Sequence, residues 1–115
     1  MVTLALCTSL AACGEKEPRP AVSGDGQRGR LLLHQYGCGT CHTIPGVALA
    51  HGTVGPPLAD VRRRVYLAGV LPNTPDTMAR WIQQPQALKP HVAMPDMGVP
   101  EDHARDMVTY LYGLP

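Results

Sequence analysis

The sequence predicts an all-α domain in which short helices are joined by long loops. Glycine and proline number 12 each among 115 residues, so loops occupy much of the chain. No stretch shows the period-two alternation of a half-buried strand. Two segments repeat apolar residues at helical spacing: Met78, Trp81 and Ile82 in one, and Ala104, Met107, Val108 and Leu111 in the other.

The first two helices are predicted before and after a glycine- and proline-rich loop. One helix spans residues 24–42, and Leu31, Leu32 and Leu33 supply its apolar side. Residues 42–57 form the loop. A second, short helix at about 58–66 carries three consecutive arginines, and residues 70–73 form a turn.

The third and fourth helices have clear boundary signals. Thr74 is a good N-cap with Pro75 at the first helical position, and Pro85 ends this helix. Further prolines up to Pro100 preclude a long helix in the segment after Pro85. The last predicted helix covers about 100–112. Gly113 is a natural stop for it.

The amino terminus predicts export and lipid anchoring. Residues 1–12 are apolar, end in small side chains and are too short to span a bilayer, so they indicate a lipoprotein signal peptide. Leu10-Ala11-Ala12-Cys13 looks like a bacterial lipobox, in which Cys13 becomes the lipidated first residue; an ordinary signal with a chance cysteine is the alternative. Residues 13–23 would be a flexible tether and 24–115 the folded domain. We therefore expect the protein on the periplasmic side of a bacterial membrane, anchored through Cys13.

The central motif is Cys38-Gly39-Thr40-Cys41-His42. C-x-x-C-H is the attachment signature of c-type haem, because one helical turn sets two sulfurs at the spacing of the vinyl groups and brings the histidine under the iron. A zinc site would need a second ligand pair, and a thioredoxin-like pair would need a βαβ setting; the sequence has neither. The chain has no phenylalanine and one tryptophan, so it has few large side chains for a hydrophobic core. One covalent haem c would fill part of that core.

Around this motif the sequence resembles class I c-type cytochromes, over about residues 24–115. The resemblance rests on motifs in the family's order: Gly29-Arg30-Leu31, Cys38 to His42, Gly55-Pro56-Pro57-Leu58, Trp81-Ile82-Gln83-Gln84-Pro85, Met94-Pro95 and Tyr110-Leu111. The segment from Leu71 to Pro75, with Met94 to Gly98, looks especially like the cytochrome domains associated with subunit II of bacterial haem–copper oxidases. The implied fold is the cytochrome c fold, with helices and loops wrapped around one haem.

The resemblance also implies roles for single residues. The Pro56 carbonyl would accept a hydrogen bond from the His42 ring, which orients an iron ligand. Leu58 would lie against the haem, Trp81 beside the methionine ligand and Arg64 near a propionate, with Arg62 or Arg63 as alternatives. Where the first and last helices cross, Gly29 and Leu33 would pack against Tyr110 and Leu111.

Seven residues after the motif could supply the sixth iron ligand: Met78, Met94, Met97, Met107, His51, His91 and His103. Met78 and Met107 lie in helical apolar stripes, where methionine usually packs, and His103 is expected on the exposed side of its helix. Met94 lies in a proline-bounded segment where the family has its ligand, so it is the expected ligand, with Met97, a histidine or an open position as alternatives. His/Met coordination raises the reduction potential and suits electron transfer.

The predicted function is that of a membrane-tethered electron carrier. Its donor would be a quinol–cytochrome c reductase or a dehydrogenase, and its acceptor a haem–copper oxidase. Ten basic and nine acidic side chains argue against a nucleic-acid partner, and no catalytic group or small-molecule substrate is predicted. The alternatives are a peroxidase-like or gas-sensing haem protein with an open iron position, and a permanently docked subunit of an oxidase or dehydrogenase complex.

Overall fold

A computed structural model describes residues 22–115, which form four α-helices and one two-stranded sheet. The elements are α1 (Gly26–Gln35), β1 (Tyr66–Leu67), β2 (Leu71–Pro72), α2 (Pro75–Gln83), α3 (Pro85–Leu88) and α4 (Glu101–Gly113), with short 3₁₀ helices at Cys38–Thr40 and Val61–Arg63. The predicted signal peptide, Cys13 and most of the predicted tether lie outside the described residues. Within residues 22–115 no helix combines the length and apolar character needed to cross a bilayer.

Helix α1 is shorter than predicted at both ends. Asp25 caps it, because its carboxylate accepts hydrogen bonds from the backbone N–H groups of Gln27 and Arg28 at 2.9 and 3.1 Å. The helix ends at Gln35, and Gly37 follows with a φ of 73°. This left-handed conformation is open to glycine at little cost and stops the helix. The cysteine motif therefore lies in its own 3₁₀ turn rather than inside α1.

Helices α1 and α4 cross at Gly29. A β-carbon at this buried position would overlap the backbone carbonyl of Asp106 and lie 2.8 Å from the nitrogen of Met107. The closest approach is therefore about one turn before the predicted contacts with Tyr110 and Leu111. Leu33 and Leu111, each 2% exposed, belong to the same apolar core.

A buried carboxylate joins the two helices beside this crossing. Asp106 accepts the backbone N–H of Asp25 at 2.7 Å and the Arg28 guanidinium at 2.9 Å. Arg28 also reaches the carboxylate of Asp102 at 3.2 Å. Because a buried charge is costly unless it is paired and hydrogen-bonded, these contacts satisfy the only charged core residue of the described chain.

The segment after the arginines differs from the sequence expectation. In place of a helix over 58–66 and a turn over 70–73, a 3₁₀ turn is followed by an antiparallel pair with the register Tyr66 to Pro72 and Leu67 to Leu71. Ala68 and Gly69, both with positive φ, make the connection. These strands are too short for a period-two pattern to show in the sequence.

Asn73 holds this segment against the rest of the molecule. Its side-chain amide donates to the carbonyl oxygens of Val61 and Arg64, each at 2.7 Å, and its carbonyl oxygen accepts the hydroxyl of Tyr112 from α4. One side chain directly after β2 therefore joins the 3₁₀ turn at Val61–Arg63 to the last helix.

Helix α2 follows the predicted pattern. Thr74 caps it by accepting the N–H of Thr77 at 3.1 Å, and Pro75 is its first residue. Met78 and Ile82 are buried as predicted, whereas Trp81 is half-buried at the edge of the core. The helix ends at Gln83 before Pro85, but Pro85 also begins the four-residue helix α3, since proline is well suited to a first helical position.

Burial raises the pKa of Tyr112 to about 12. The folded-state pKa exceeds the ordinary value of about 10, so the fold favours the neutral phenol. Its contribution to stability is complete below pH ~10 and is lost as the pH rises towards 12. We expect urea midpoints to fall between about pH 8 and about pH 11, and Tyr112→Phe to reduce this fall.

The matched control is Tyr110→Phe. It also removes a tyrosine hydrogen bond, from the Tyr110 hydroxyl to the Pro45 carbonyl at 2.6 Å. This variant should lose about 1 kcal/mol of stability at neutral pH but keep the alkaline fall. An alkaline fall of equal size in all three proteins would contradict the role of Tyr112.

Candidate cofactor site

The two motif cysteines lie one turn apart at the end of α1. The N–H groups of Cys41 and His42 both donate to the Cys38 carbonyl, at 3.3 and 3.0 Å, which winds the segment into a single turn. Both cysteines are half-buried free thiols. Gly39 between them is buried, and a β-carbon there would lie 2.6 Å from the Cα of Ala50. A small residue is therefore required where the following loop packs against the motif.

Burial raises the pKa of the Cys38 thiol above its ordinary value, because desolvation disfavours the thiolate; the neighbouring Cys41 acts in the same direction, and a backbone hydrogen bond acts against it. Reactive cysteines of disulfide oxidoreductases have lowered pKa values. The environment of Cys38 is therefore unlike that of a thioredoxin-type nucleophile.

His42 has a defined orientation. Its Nδ1 lies 2.7 Å from the Pro56 carbonyl oxygen. Because a carbonyl only accepts hydrogen bonds, Nδ1 carries the proton, and Nε2 of the neutral ring keeps its lone pair. This is the contact that the resemblance implies, and it is the usual arrangement by which proteins orient a metal-ligating imidazole.

Glycine at position 55 is needed for this contact. Its N–H donates to the Cys41 carbonyl at 2.8 Å, and a β-carbon would lie 2.7 Å from His42 Nδ1. The loop is also held further along, where the N–H of Gly52 donates to the Gly39 carbonyl at 3.0 Å and that of Leu58 to the Thr43 carbonyl at 2.9 Å. Sequence reasoning had included Gly55 only as part of the Gly-Pro-Pro-Leu motif, without a role of its own.

The three arginines are in different environments. Arg64, favoured by the resemblance as the propionate partner, donates to the Pro57 carbonyl. Arg63 is exposed and lies 3.8 Å from the Asp60 carboxylate. Arg62 has a buried Nε that lacks a hydrogen-bond partner among the described residues. An unsatisfied buried N–H is costly, and an anionic ligand oxygen would satisfy it, so Arg62 joins Arg64 as a candidate partner of a propionate.

Apolar surface is exposed in the segments next to these residues. Val54, which precedes Gly55, is 75% exposed, and Val65, which follows Arg64, is 73% exposed. Leu58 and Trp81 are half-buried and pack against the core with part of their surface still accessible. A large apolar cofactor would cover surface of this kind.

The structure separates the candidates for a second axial ligand. Met78 and Met107 are buried in the core, at 4% and 0% exposure, as expected of packing residues. Met94 is half-buried and Met97 is 44% exposed. The histidines are distributed as follows: His51 and His91 are exposed, whereas His103 is half-buried and 2.9 Å from the Tyr36 hydroxyl. The expected exposure of His103 is therefore wrong, because Tyr36 covers it.

Protein side chains alone do not form a metal site in residues 22–115. No three His, Cys, Asp or Glu side chains of this range are close enough to hold an ion together. A haem carries four nitrogen ligands of its own, so it would need from the protein only one histidine and one further axial group. The oriented imidazole, the two free thiols, the unsatisfied Arg62 and the exposed apolar surface fit that cofactor. The ligand roles of His42 and Met94, and the contacts of Leu58 and Trp81, stay predictions.

Sequence reasoning gave no role to two polar side chains that organise these segments. Asn73 lies in the predicted turn and in the segment from Leu71 to Pro75 that carries the resemblance, and Gln86 lies in a proline-rich segment; neither side chain has a predicted role. Each makes three side-chain hydrogen bonds to residues at least five positions away in the chain. Such contacts depend on tertiary placement and leave no local pattern in the sequence.

The comparison with known proteins supplies one relative and no family model. No protein-family model matches the chain. The chain is similar to a protein of Alkalihalophilus pseudofirmus named cytochrome c oxidase subunit 2, with 31% identity over 90 residues. The match covers 76% of this chain and 25% of that protein, so the chain spans about a quarter of the length of the curated relative it matches. The chain is thus a distant, partial relative of an oxidase subunit.

Proposed function

We propose that this protein is a membrane-tethered electron-transfer protein that carries one electron on a single haem c, attached through Cys38 and Cys41 and ligated by His42 and Met94. The observation that carries the proposal is the His42 imidazole, which follows the second cysteine and is oriented by the Pro56 carbonyl at 2.7 Å. A free Nε2 lone pair beside two free thiols is what attachment and axial ligation require.

The residues of the chain would act by holding and tuning the cofactor, which supplies the one-electron chemistry when bound. Pro56 keeps the proton on Nδ1 of His42, so the ligating nitrogen stays aimed in one direction. Gly55 lets the loop approach the ring, and Arg64 or Arg62 would pair with an anionic substituent. A thioether from Met94 and an apolar shell both favour the reduced state and raise the potential. No residue of this set is assigned a catalytic role.

The relationship to an oxidase subunit supports a role in electron delivery to a terminal oxidase. The relative's name describes a subunit of cytochrome c oxidase, and we extend its context to this chain as a proposal. The acceptor is a haem–copper oxidase, and the donor a quinol–cytochrome c reductase or a dehydrogenase. A docked oxidase subunit is the second candidate, favoured by the same relationship, and co-purification with the oxidase from detergent-solubilised membranes separates it from a carrier.

An optical spectrum tests the proposal directly. The protein matured with haem should keep its haem after acid–acetone extraction, and the Cys38→Ala, Cys41→Ala double variant should not. The ferric protein should be low-spin with a weak near-infrared sulfur-to-iron band, and the ferrous protein should not bind carbon monoxide rapidly. High-spin ferric haem with rapid carbon monoxide binding would contradict electron transfer and favour an open iron position.

The lipid anchor at Cys13 is tested by membrane fractionation. Cys13→Ser should move the protein from the membrane fraction to the soluble periplasmic fraction, because a diacyl anchor is then not added. Cys7→Ser, which alters a cysteine of the predicted signal peptide, is the matched control and should leave the protein membrane-bound. Membrane retention of Cys13→Ser would contradict the tether.

A further inference from the structure

One glutamine side chain joins α3 to the segment that contains Met94. The Nε2 group of Gln86 donates to the carbonyl oxygens of Val92 at 2.6 Å and Met94 at 2.8 Å. Its Oε1 accepts the backbone N–H of His91 at 3.2 Å. Both N–H donors and the carbonyl oxygen of one amide are thus used on residues 91–94.

A second contact closes the same segment from its other end. The carboxylate of Asp96, two residues after Met94, accepts the backbone N–H of Gln86 at 3.1 Å. Gln86 therefore contacts residues on both sides of the Met94 side chain. Its own side chain bonds to residues 91, 92 and 94, and its backbone N–H bonds to Asp96. Pro85 anchors this arrangement, because it is buried in the core directly before Gln86.

Residues 91–96 lack regular secondary structure, and Gln86 supplies hydrogen bonds that a helix or strand would otherwise provide. Their backbone N–H and C=O groups have no helix or strand to satisfy them. His91 is also held at a φ of 65°, a left-handed conformation that is unfavourable for a residue with a β-carbon. The hydrogen bond from its N–H to Gln86 offsets part of that cost.

We propose that Gln86 is a positioning residue that holds the Met94 segment in the conformation required for iron ligation. The inference rests on the proposed function, in which the Met94 thioether is the second axial ligand. A pre-organised segment loses little conformational freedom when its side chain binds the iron. Without Gln86 the same bond must also order the segment, so a competing ligand displaces Met94 more easily.

The test is imidazole binding to the ferric holoprotein, measured by loss of the near-infrared sulfur-to-iron band. Gln86→Leu keeps the approximate size of the side chain and removes its three hydrogen bonds. We expect this variant to bind imidazole about tenfold or more tightly than the unmodified protein, which corresponds to the loss of one to two net hydrogen bonds. Gln84→Leu, at an exposed position two residues earlier, should stay within about twofold.

Two further variants keep the test decisive. Gln86→Glu keeps the acceptor for His91 but places carboxylate oxygens against two carbonyls, so it should also bind imidazole more tightly; it replaces Gln86→Leu if that variant does not fold. His91→Gly in the Gln86→Leu background should restore part of the resistance to imidazole, because glycine adopts a positive φ at little cost. A merely structural role would lower the unfolding midpoint of Gln86→Leu without changing imidazole affinity.

The outcomes separate the two proposals. If the unmodified protein shows the band and both Gln86 variants match it in imidazole affinity, the role of Gln86 is overturned and the proposed function stands. If the unmodified protein lacks the band, the proposed His/Met ligation fails, and the positioning role fails with it.

Discussion

Replacing Gly29 with alanine should remove about 3 kcal/mol or more from the free energy of unfolding, because the added methyl group has no room. It would overlap the carbonyl of Asp106 and lie 2.8 Å from the nitrogen of Met107. Both are backbone atoms of α4, which cannot rotate away as a flexible side chain can. The helices must move apart, and the hydrogen bond from the Asp25 N–H to the buried Asp106 carboxylate lengthens with them. Denaturant unfolding of the holoprotein measures the loss.

Gly113→Ala is the matched control for this prediction. Gly113 is the last residue of α4, and a β-carbon there would meet no atom within 4 Å. The same chemical change should therefore be neutral or slightly stabilising, since alanine loses less backbone entropy than glycine on folding. A Gly29→Ala protein as stable as Gly113→Ala would show that the two helices are farther apart than described.

Replacing Met94 with alanine should abolish the near-infrared sulfur-to-iron band and lower the reduction potential by on the order of 0.1 V or more. In the proposed His/Met ligation, the loss of the thioether would remove a soft ligand that favours the ferrous iron, and it would open a coordination position. Rapid binding of carbon monoxide to the ferrous protein should appear at the same time. Redox titration and optical spectroscopy of the purified holoprotein measure all three changes.

Met97→Ala is the control with the same chemical change three residues later. Met97 is 44% exposed, whereas Met94 is half-buried and its carbonyl is held by Gln86. Met97→Ala should keep the band and shift the potential only slightly. Loss of the band in Met97→Ala and its retention in Met94→Ala would reverse the ligand assignment.

The structural elements that were predicted well from the sequence are formed by residues that are close together in the chain. Thr74 and Pro75 begin α2 as expected, because a cap and its helix lie within four residues of one another. The turn from Cys38 to His42 is also local, since it needs only the hydrogen bonds to the Cys38 carbonyl, but it lies after α1 and not inside the predicted helix. The sheet at Tyr66–Leu67 and Leu71–Pro72 was missed, because two-residue strands carry no detectable period.

The sequence also predicted the contact of His42 with Pro56, but through a resemblance and not through spacing. The relative named cytochrome c oxidase subunit 2 agrees with that resemblance at the level of an oxidase-associated protein. The resemblance also named Arg64 as the propionate partner, with Arg62 or Arg63 as alternatives, and this stays a prediction. Spacing alone could not choose among the three arginines, because identical residues in a row have the same local signal. Their environments differ only once the chain is folded, with Arg62 left as the one that has a buried, unsatisfied nitrogen among the described residues.

The sequence by itself determined which chemical groups this protein can offer: two thiols one turn apart, an adjacent imidazole and a methionine beside a proline. Tertiary structure decided how these groups are held. The resemblance implied Pro56 on His42 and Gly29 at the helix crossing, whereas the contact of Gln86 with the Met94 segment is seen only in the folded chain. The physical reason is distance along the chain. Local hydrogen bonds and dihedral preferences are encoded within a few residues, whereas contacts that orient a ligand join residues that only folding brings together.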